Sequence, residues 1–362
     1  MKIGYLHLNL STLTESGVTR YGRILASEAR KKEGVTVTEV TINLQQKVLK
    51  DFQLINQAIK KLSDTDCLYL SYSRYAWGGL GQLYYIVLIF LWYHQPIIVN
   101  LHDVYEYLYS SKILAPNPNF KTRLNNLSLN LIFKKAKYIV VNNQQEAEVI
   151  KQRCPPEKIK IINHFVEIRD IKFTPYEARQ KLGLQDYQII TLQGFIFPSK
   201  GHKLLIEAIP YLTPNLKVIF AGGPSPNNEQ FLESLLQQAK NLGVVERLII
   251  TGYLSETDLE YYLMATHLAI CPFRNMSSSG SLCTWISVGK PILASNLPQI
   301  RDYNQLVPES IHIFDPDDAV TLANRIKELL PQCTDEKVPA VIKLREKLLL
   351  PRVIDEYLKL LT

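Results

Sequence analysis

Five short segments of this 362-residue chain combine residue types that suit an anionic or polyhydroxylated ligand. The first is Ser16-Gly17-Val18-Thr19-Arg20, placed between an apolar run and a helical pattern. Backbone N–H groups and the helix dipole meet anions at such a position, and a glycine lets a ligand approach, so Ser16, Gly17, Val18 and Arg20 form a loop for a phosphate or a charged sugar. The second is Asn100-Leu101-His102-Asp103, at the end of a run that reads as a fully buried strand. His102 there can donate to a sugar hydroxyl or a developing charge near neutral pH, and Asp103 can orient it.

The remaining three segments lie in the second half. Gly194 to Gly201 (GFIFPSKG) places Lys200 where a helix is expected to begin, a position the helix dipole disfavours for a cation unless an anion joins it. Ala221-Gly222-Gly223-Pro224 permits a tight turn or close backbone approach after a strand. Cys271-Pro272-Phe273-Arg274 leads into the serine run Ser277 to Ser281 and then a helical segment. Ser279, Gly280, Ser281 and Leu282 at that helix start can offer N–H groups and hydroxyls to a diphosphate, and Arg274 can bind phosphate through two parallel hydrogen bonds.

Each segment needs an element to hold it, and the hydrophobic pattern supplies a repeating order. Runs at Lys2 to Leu8, Val35 to Val40, Cys67 to Leu70, Pro96 to Leu101 and Tyr138 to Val141 read as strands, alternating with helical spacing at Gly17 to Lys32, Phe52 to Leu62 and Phe120 to Lys135. Periodicity fades between Ile168 and Tyr176, then strands resume at Gln188 to Leu192, Leu216 to Phe220, Arg247 to Thr251, Leu268 to Cys271, Pro291 to Ala294 and Ile311 to Phe314. Only helical pattern follows Pro331. Alternation of this kind predicts βαβ units and two doubly wound parallel sheets, with ligands at the carboxyl ends of strands facing a cleft between domains. The expected division is residues 1–172, residues 173–336 and a helical segment 337–362, whose last helix, about 350–362, packs back on the first domain.

Composition narrows the function classes. Hydrophobic residues make up 46% and charged residues 21%, as in folded globular proteins. No G-x-G-x-x-G occurs, which removes the main support for a dinucleotide-dependent dehydrogenase. The five cysteines are scattered without a C-x-x-C pair and are expected to be reduced, in a cytoplasmic protein. Leu83 to Tyr93 (LYYIVLIFLWY) is strongly apolar over eleven residues, short of the roughly 20 needed to span a bilayer. It is expected to be a buried core helix, with an interfacial role as the alternative. The net charge of +7 is uneven: residues 1–170 hold 22 lysines and arginines against 14 acidic residues, and the remainder 19 against 20. That basic half suggests an anionic partner such as a phospholipid surface, with peripheral contact at the inner face of a membrane, a lipid-phosphate acceptor or nucleic acid; solvated surface lysines are the equal alternative. No basic run exceeds Arg30-Lys31-Lys32, and no nucleic-acid recognition motif is present, so nucleic acid is not an expected partner.

In order and spacing these segments resemble the retaining GT-B glycosyltransferases of family 4. The resemblance runs from the Ser16 to Arg20 loop through His102-Asp103, Gly194 to Gly201, Ala221-Gly222-Gly223, Thr251-Gly252-Tyr253-Leu254 and Gly289-Lys290-Pro291, nearly the whole chain. It implies two Rossmann-like domains, the first for an acceptor and the second for a UDP-, GDP- or ADP-sugar, UDP favoured. Under the resemblance Lys200, Arg274 and Ser279 to Leu282 hold the diphosphate. Gly194, Gly222, Tyr253, Leu254 and Thr284 surround the nucleoside, and Ser16, Gly17, Val18 and Arg20 meet acceptor or sugar. His102 and Asp103 are the catalytic pair. The implied reaction is retaining hexosyl transfer to a saccharide or lipid-linked acceptor, without cofactor or metal, in cell-envelope or exported-polysaccharide synthesis. Two departures stand out. Aligned on Gly289, Met276 and Thr284 occupy the places of the family's E-x7-E glutamates, and Phe195 replaces an arginine that often accompanies the lysine. These departures keep two alternatives in view, a non-catalytic GT-B protein that binds a nucleotide-sugar or partners another transferase, and a nucleotide-sugar epimerase.

Overall fold

A computed structural model describes the chain except residues 11–15, 74–76, 78–81, 103, 105–119, 276–278, 316–317 and 362, with backbone alone at residues 120–122 and 124–125. It divides into two units. Met1–His164 and Leu350–Thr362 form the first, Phe165–Leu349 the second.

The first unit holds β1 (Lys2–Asn9), α1 (Gly17–Ala29), β2 (Thr36–Asn43), α2 (Val48–Leu62), β3 (Cys67–Tyr72), α3 (Gln82–Trp92), β4 (Ile97–Leu101), α4 (Phe120–Lys135), β5 (Tyr138–Val141), α5 (Gln144–Ile150) and β6 (Ile159–Ile161). Its six strands are all parallel, in the order β2-β1-β3-β4-β5-β6. The middle strands β3 and β4 are buried along their full length, which is why they read as continuous apolar runs rather than alternating ones. The register sets Asn100 of β4 beside Val140 of β5, so His102 and Asn142, each just past its strand, stand on one edge of the sheet. Ser16 caps α1, its side chain accepting from Thr19 N–H at 3.1 Å.

The second unit holds α6 (Pro175–Leu182), β7 (Gln188–Gln193), α7 (His202–Ala208), β8 (Leu216–Ala221), α8 (Glu229–Asn241), β9 (Leu248–Ile250), α9 (Glu256–Ala265), β10 (Leu268–Cys271), α10 (Gly280–Val288), β11 (Ile292–Ser295), α11 (Pro298–Leu306), β12 (His312–Phe314), α12 (Ala319–Leu329) and α13 (Pro339–Lys347). The sheet order is β12-β11-β10-β7-β8-β9, again all parallel. The chain then returns to the first unit as α14 (Leu350–Lys359). Val353, Ile354 and Tyr357 are the buried stripe of α14, which packs on α1.

The divide falls at His164 and Phe165 rather than at 172, and residues 337–349 stay with the second unit. Val166 explains both facts: it is buried in the second unit's core and its N–H donates to the Leu348 carbonyl at 2.7 Å. Polar sequence around Ile168 to Tyr176 therefore follows the crossing instead of marking it.

Candidate functional site

In the second unit the carboxyl ends of β7, β8 and β10 carry three of the chemical segments and bring them together. The loop after β7 and the loop after β8 are knitted by main-chain bonds: Gly194 N–H to Ala221 O (3.1 Å), Ile196 N–H to Gly223 O (2.8 Å) and Ser225 N–H to Ile196 O (3.1 Å). Gly222 is required for this closeness, because a Cβ there would lie 2.1 Å from the Gly194 carbonyl oxygen. The loop after β10 joins through Arg274 N–H, which donates to Ser199 O at 2.9 Å. Gly201 makes the same demand, with φ +81° and space for a Cβ only 1.9 Å from the Pro272 carbonyl oxygen.

These constraints place Lys200 at the start of α10. Its ammonium donates to Ser281 Oγ at 3.0 Å and to Ser279 Oγ at 3.3 Å, and lies 4.0 Å from the centre of the Phe273 ring. Among the described residues no carboxylate pairs with it. Burial lowers its pKa to about 8, so the ammonium is held by neutral dipoles and a ring face, with no opposing charge. Ser279 caps α10, its hydroxyl accepting from Leu282 N–H at 3.3 Å. A Cβ on Gly280, the first helical residue, would meet nothing within 4 Å. A partly buried cation beside an open helix N-terminus is an anion site in chemical terms.

The other expected residues of this unit divide. Gly194 borders the site, since a Cβ there would lie 4.0 Å from Lys200 Nζ. Arg274 is exposed beside the Lys200 loop. Tyr253 is 66% exposed, and its hydroxyl donates to Pro224 O. The ring crosses Gly223 so closely that a Cβ there would approach it to 3.0 Å, and Phe195, 55% exposed, meets it edge-on at 6.2 Å. Leu282 turns its side chain into the core and spends its N–H on the cap, so it shapes the helix start. Leu254 is likewise partly buried against the core. Thr284 directs its hydroxyl back to Gly280 O at 2.9 Å. Gly289-Lys290-Pro291 lies elsewhere, at the amino end of β11: Gly289 closes α10 in the left-handed conformation and Lys290, 3% exposed, is buried with its pKa lowered to about 8. Met276 lies outside the described residues.

In the first unit His102 directly follows β4 and continues the ladder through its N–H to Tyr72 O at 2.9 Å. It is 5% exposed, and Tyr21 packs edge-on against its ring at 5.1 Å. Tyr21 also meets His164 at 4.8 Å. Burial first, and His164 second, lower the His102 pKa to about 3, so the ring is neutral near pH 7. Its Nε2 is buried and has no hydrogen-bond partner among the described residues. Asp103 lies outside the described residues. Of the early loop, Ser16 is the cap, Gly17 and Arg20 are exposed, and Val18 packs in part against the core. A Cβ on Gly17 would meet nothing within 4 Å.

Sequence reasoning passed over three features here. Phe273 stands directly before Arg274 yet supplies the ring under Lys200. Asn142 is fully buried at the same sheet edge as His102, with neither side-chain amide atom hydrogen-bonded among the described residues. Its signal was position alone, one residue past β5. Beneath His102, Asn100 Nδ2 donates to Tyr69 OH (3.1 Å) and Tyr357 OH (2.9 Å), and Tyr357 OH contacts Tyr21 OH at 3.2 Å.

Two units, each built on a parallel six-stranded sheet, agree with comparisons to known proteins. Residues 17–170 match the family described as Glycosyltransferase Family 4, and residues 176–342 match Glycosyl transferases group 1. The two matches take in most of the chain, which belongs to the GT-B glycosyltransferases.

Among individual relatives, the chain is similar to the D-inositol 3-phosphate glycosyltransferase of Mycobacterium marinum, 27% identical over 187 residues, covering 50% of this chain and 39% of that protein. The protein of the same description from Mycolicibacterium gilvum is 28% identical over 196 residues, covering 51% and 43%. Each match takes in less than half of the relative's length. In fold the chain resembles Anabaena HepE in complex with UDP-glucose (TM-score 0.77, 18% identity, 99% of both chains) and the sucrose-phosphate synthase of Thermosynechococcus elongatus (TM-score 0.76, 16% identity, 99% of this chain and 98% of that one).

Proposed function

We propose that the protein transfers a hexose from a UDP-sugar to a saccharide or lipid-linked acceptor with retention of configuration, independently of a metal ion, in the synthesis of a cell-envelope or exported polysaccharide. The observation that carries the reading is the Lys200 ammonium, held by Ser279, Ser281 and Phe273 without an opposing carboxylate among the described residues. A diphosphate supplies the missing charge. Lys200, the start of α10 and Arg274 then stabilise the diphosphate as it departs, the point at which negative charge grows in glycosyl transfer. The uridine lies toward Tyr253 and Phe195, whose exposed rings offer stacking surfaces. HepE, which shares the fold, was captured with UDP-glucose, and this supports the choice of UDP.

On the acceptor side, neutral His102 and Asn142 have side-chain polar atoms without partners among the described residues, and such atoms suit hydroxyl groups rather than anions. In the retaining reading the acceptor oxygen attacks from the face the diphosphate leaves, a diphosphate oxygen takes the acceptor proton, and no protein nucleophile is used.

Calorimetry against UDP, GDP and ADP, with magnesium and with chelator, tests the donor assignment: UDP binds preferentially and equally in both. Failure of all three nucleotides to bind overturns it. One observation favours a second reading, binding without turnover: Thr284, at the place of a family glutamate, has its hydroxyl turned to Gly280 O. Tight UDP-sugar binding with no release of UDP in the presence of acceptor extracts decides for that reading.

A further inference from the structure

Three neighbouring helices of the first unit leave apolar side chains in the open. Of the seven large apolar residues exposed in that unit among the described residues, six lie on them: Val48, Leu49 and Phe52 of α2, Val87 and Leu91 of α3, and Leu127 of α4. Leu49 is 79% exposed and Leu91 62%. The helices pack side by side, α2 on α3 and α3 on α4. Phe52 meets Trp92 edge-on at 4.9 Å, and Tyr84 OH donates to Val48 O at 3.3 Å, so the exposed residues of α2 and α3 belong to one packed surface. Helix α3, with the sequence QLYYIVLIFLW, carries apolar side chains on every face, although a helix on a globular surface ordinarily turns a polar face outward.

The exposed charge carried by these three helices has one sign. Residues 48–62, 82–92 and 120–135 contain seven lysines and arginines and a single acidic residue, Asp51. Asp51 is fully buried and accepts from Gln45 N–H (2.9 Å) and Tyr85 OH (2.8 Å), so it presents no charge outward. Exposed Lys47 and Lys50 stand beside Val48 and Leu49. Apolar groups flanked by cations that make no ion pair among the described residues, with Trp and Tyr at the edge, match the boundary of an anionic bilayer, where the apolar groups enter and the lysines meet headgroup phosphates. A second copy of the same face would bring like charges together, which disfavours self-association. At eleven residues α3 is too short to cross the bilayer, so this contact lies in the plane of the interface.

We propose that the exposed face of α2, α3 and α4 docks the first unit on an anionic lipid bilayer. The inference stands apart from the proposed sugar transfer, because none of these residues belongs to the Lys200 or His102 sites.

Co-sedimentation of the full chain with vesicles tests it, using phosphatidylcholine alone and an equal mixture with phosphatidylglycerol. The expected result is binding to the mixed vesicles at about 0.05 M salt, weakened at about 0.5 M, and little binding to phosphatidylcholine. Leu49→Glu with Leu91→Glu, both at exposed positions, lowers the partition by about tenfold or more while UDP affinity and melting temperature stay unchanged. Lys47→Glu with Lys50→Glu lowers it and removes part of the salt dependence. No binding to mixed vesicles overturns the proposal, as does binding that Leu49→Glu with Leu91→Glu leaves intact. A dimer in light scattering that the same double variant dissociates also overturns it, assigning the face to a second copy.

Discussion

The carboxyl ends of the two sheets hold polar groups in opposite electrostatic states. In the second unit Lys200 stays largely protonated near pH 7 and is solvated by two hydroxyls and a ring, an arrangement that stabilises a cation only in part and leaves it ready for an anion. In the first unit His102 is neutral, with a nitrogen unmatched among the described residues, beside Asn142, whose amide is likewise unmatched among them, an arrangement that suits hydroxyls and repays no charge. The same strand-end position thus carries two electrostatic environments, and neighbouring residues decide between them. Serines and a phenylalanine hold the lysine, while Tyr21 packs against the imidazole and His164 helps to lower its pKa.

The largest effect expected from breaking this contrast is at Lys200. Lys200→Met removes the cation and lowers turnover by about 10² to 10³, with a parallel loss of UDP affinity by calorimetry. The same variant is expected to melt at a higher temperature at pH 7. The folded-state pKa of Lys200 lies below its ordinary value of 10.5, so its charged form costs stability, a cost that grows as pH falls from 10.5 to about 8 and is constant below. A lower melting temperature would show that the lysine is a structural support.

His102→Ala comes next. Turnover falls about 10²-fold while UDP affinity stays the same, which a kcat measurement beside calorimetry separates. Because its pKa is near 3, this contribution should not vary between pH 5 and pH 8. Activity that titrates near 6.5 and loses that feature in the variant would contradict a neutral His102. Gly201→Ala follows, since its Cβ would collide with the Pro272 carbonyl; a cost of about 2 kcal/mol or more, read as a fall in melting temperature of several degrees, is expected. The smallest effect is at the ring. Phe273→Leu keeps the core filled and removes the π face, weakening UDP by roughly threefold to tenfold.

Much of this arrangement was legible in the sequence, for particular reasons. Lys200 stands out in the sequence because a cation before a helix start contradicts the dipole, and His102 because a buried apolar run ends in it. The strands were visible because parallel sheets bury both faces, and β3 and β4 therefore read as apolar runs. Strand β6, three residues that are only partly buried, carried no such signal. Two kinds of fact were beyond reach. One is contact at long sequence separation, such as Tyr357 reaching Asn100 across 257 positions. The other is the local direction of a side chain: Thr284 and Leu282 stand at places a site would use, yet the helix backbone and the core take their polar and apolar groups.

The central claim is that an unopposed Lys200 ammonium binds the donor diphosphate, and calorimetry of UDP from pH 7 to pH 9.5 on the native chain and on Lys200→Met tests it most directly. Neighbouring groups titrate outside that window, His202 near 3 and Cys271 and Cys283 near 12. The account predicts native affinity that is level below about pH 8 and falls above it by up to about tenfold per pH unit, against weak binding in the variant that changes only with the ionisation of the uracil ring at the top of the range. Equal affinity in the two proteins, or the same slope in both, would place the diphosphate elsewhere.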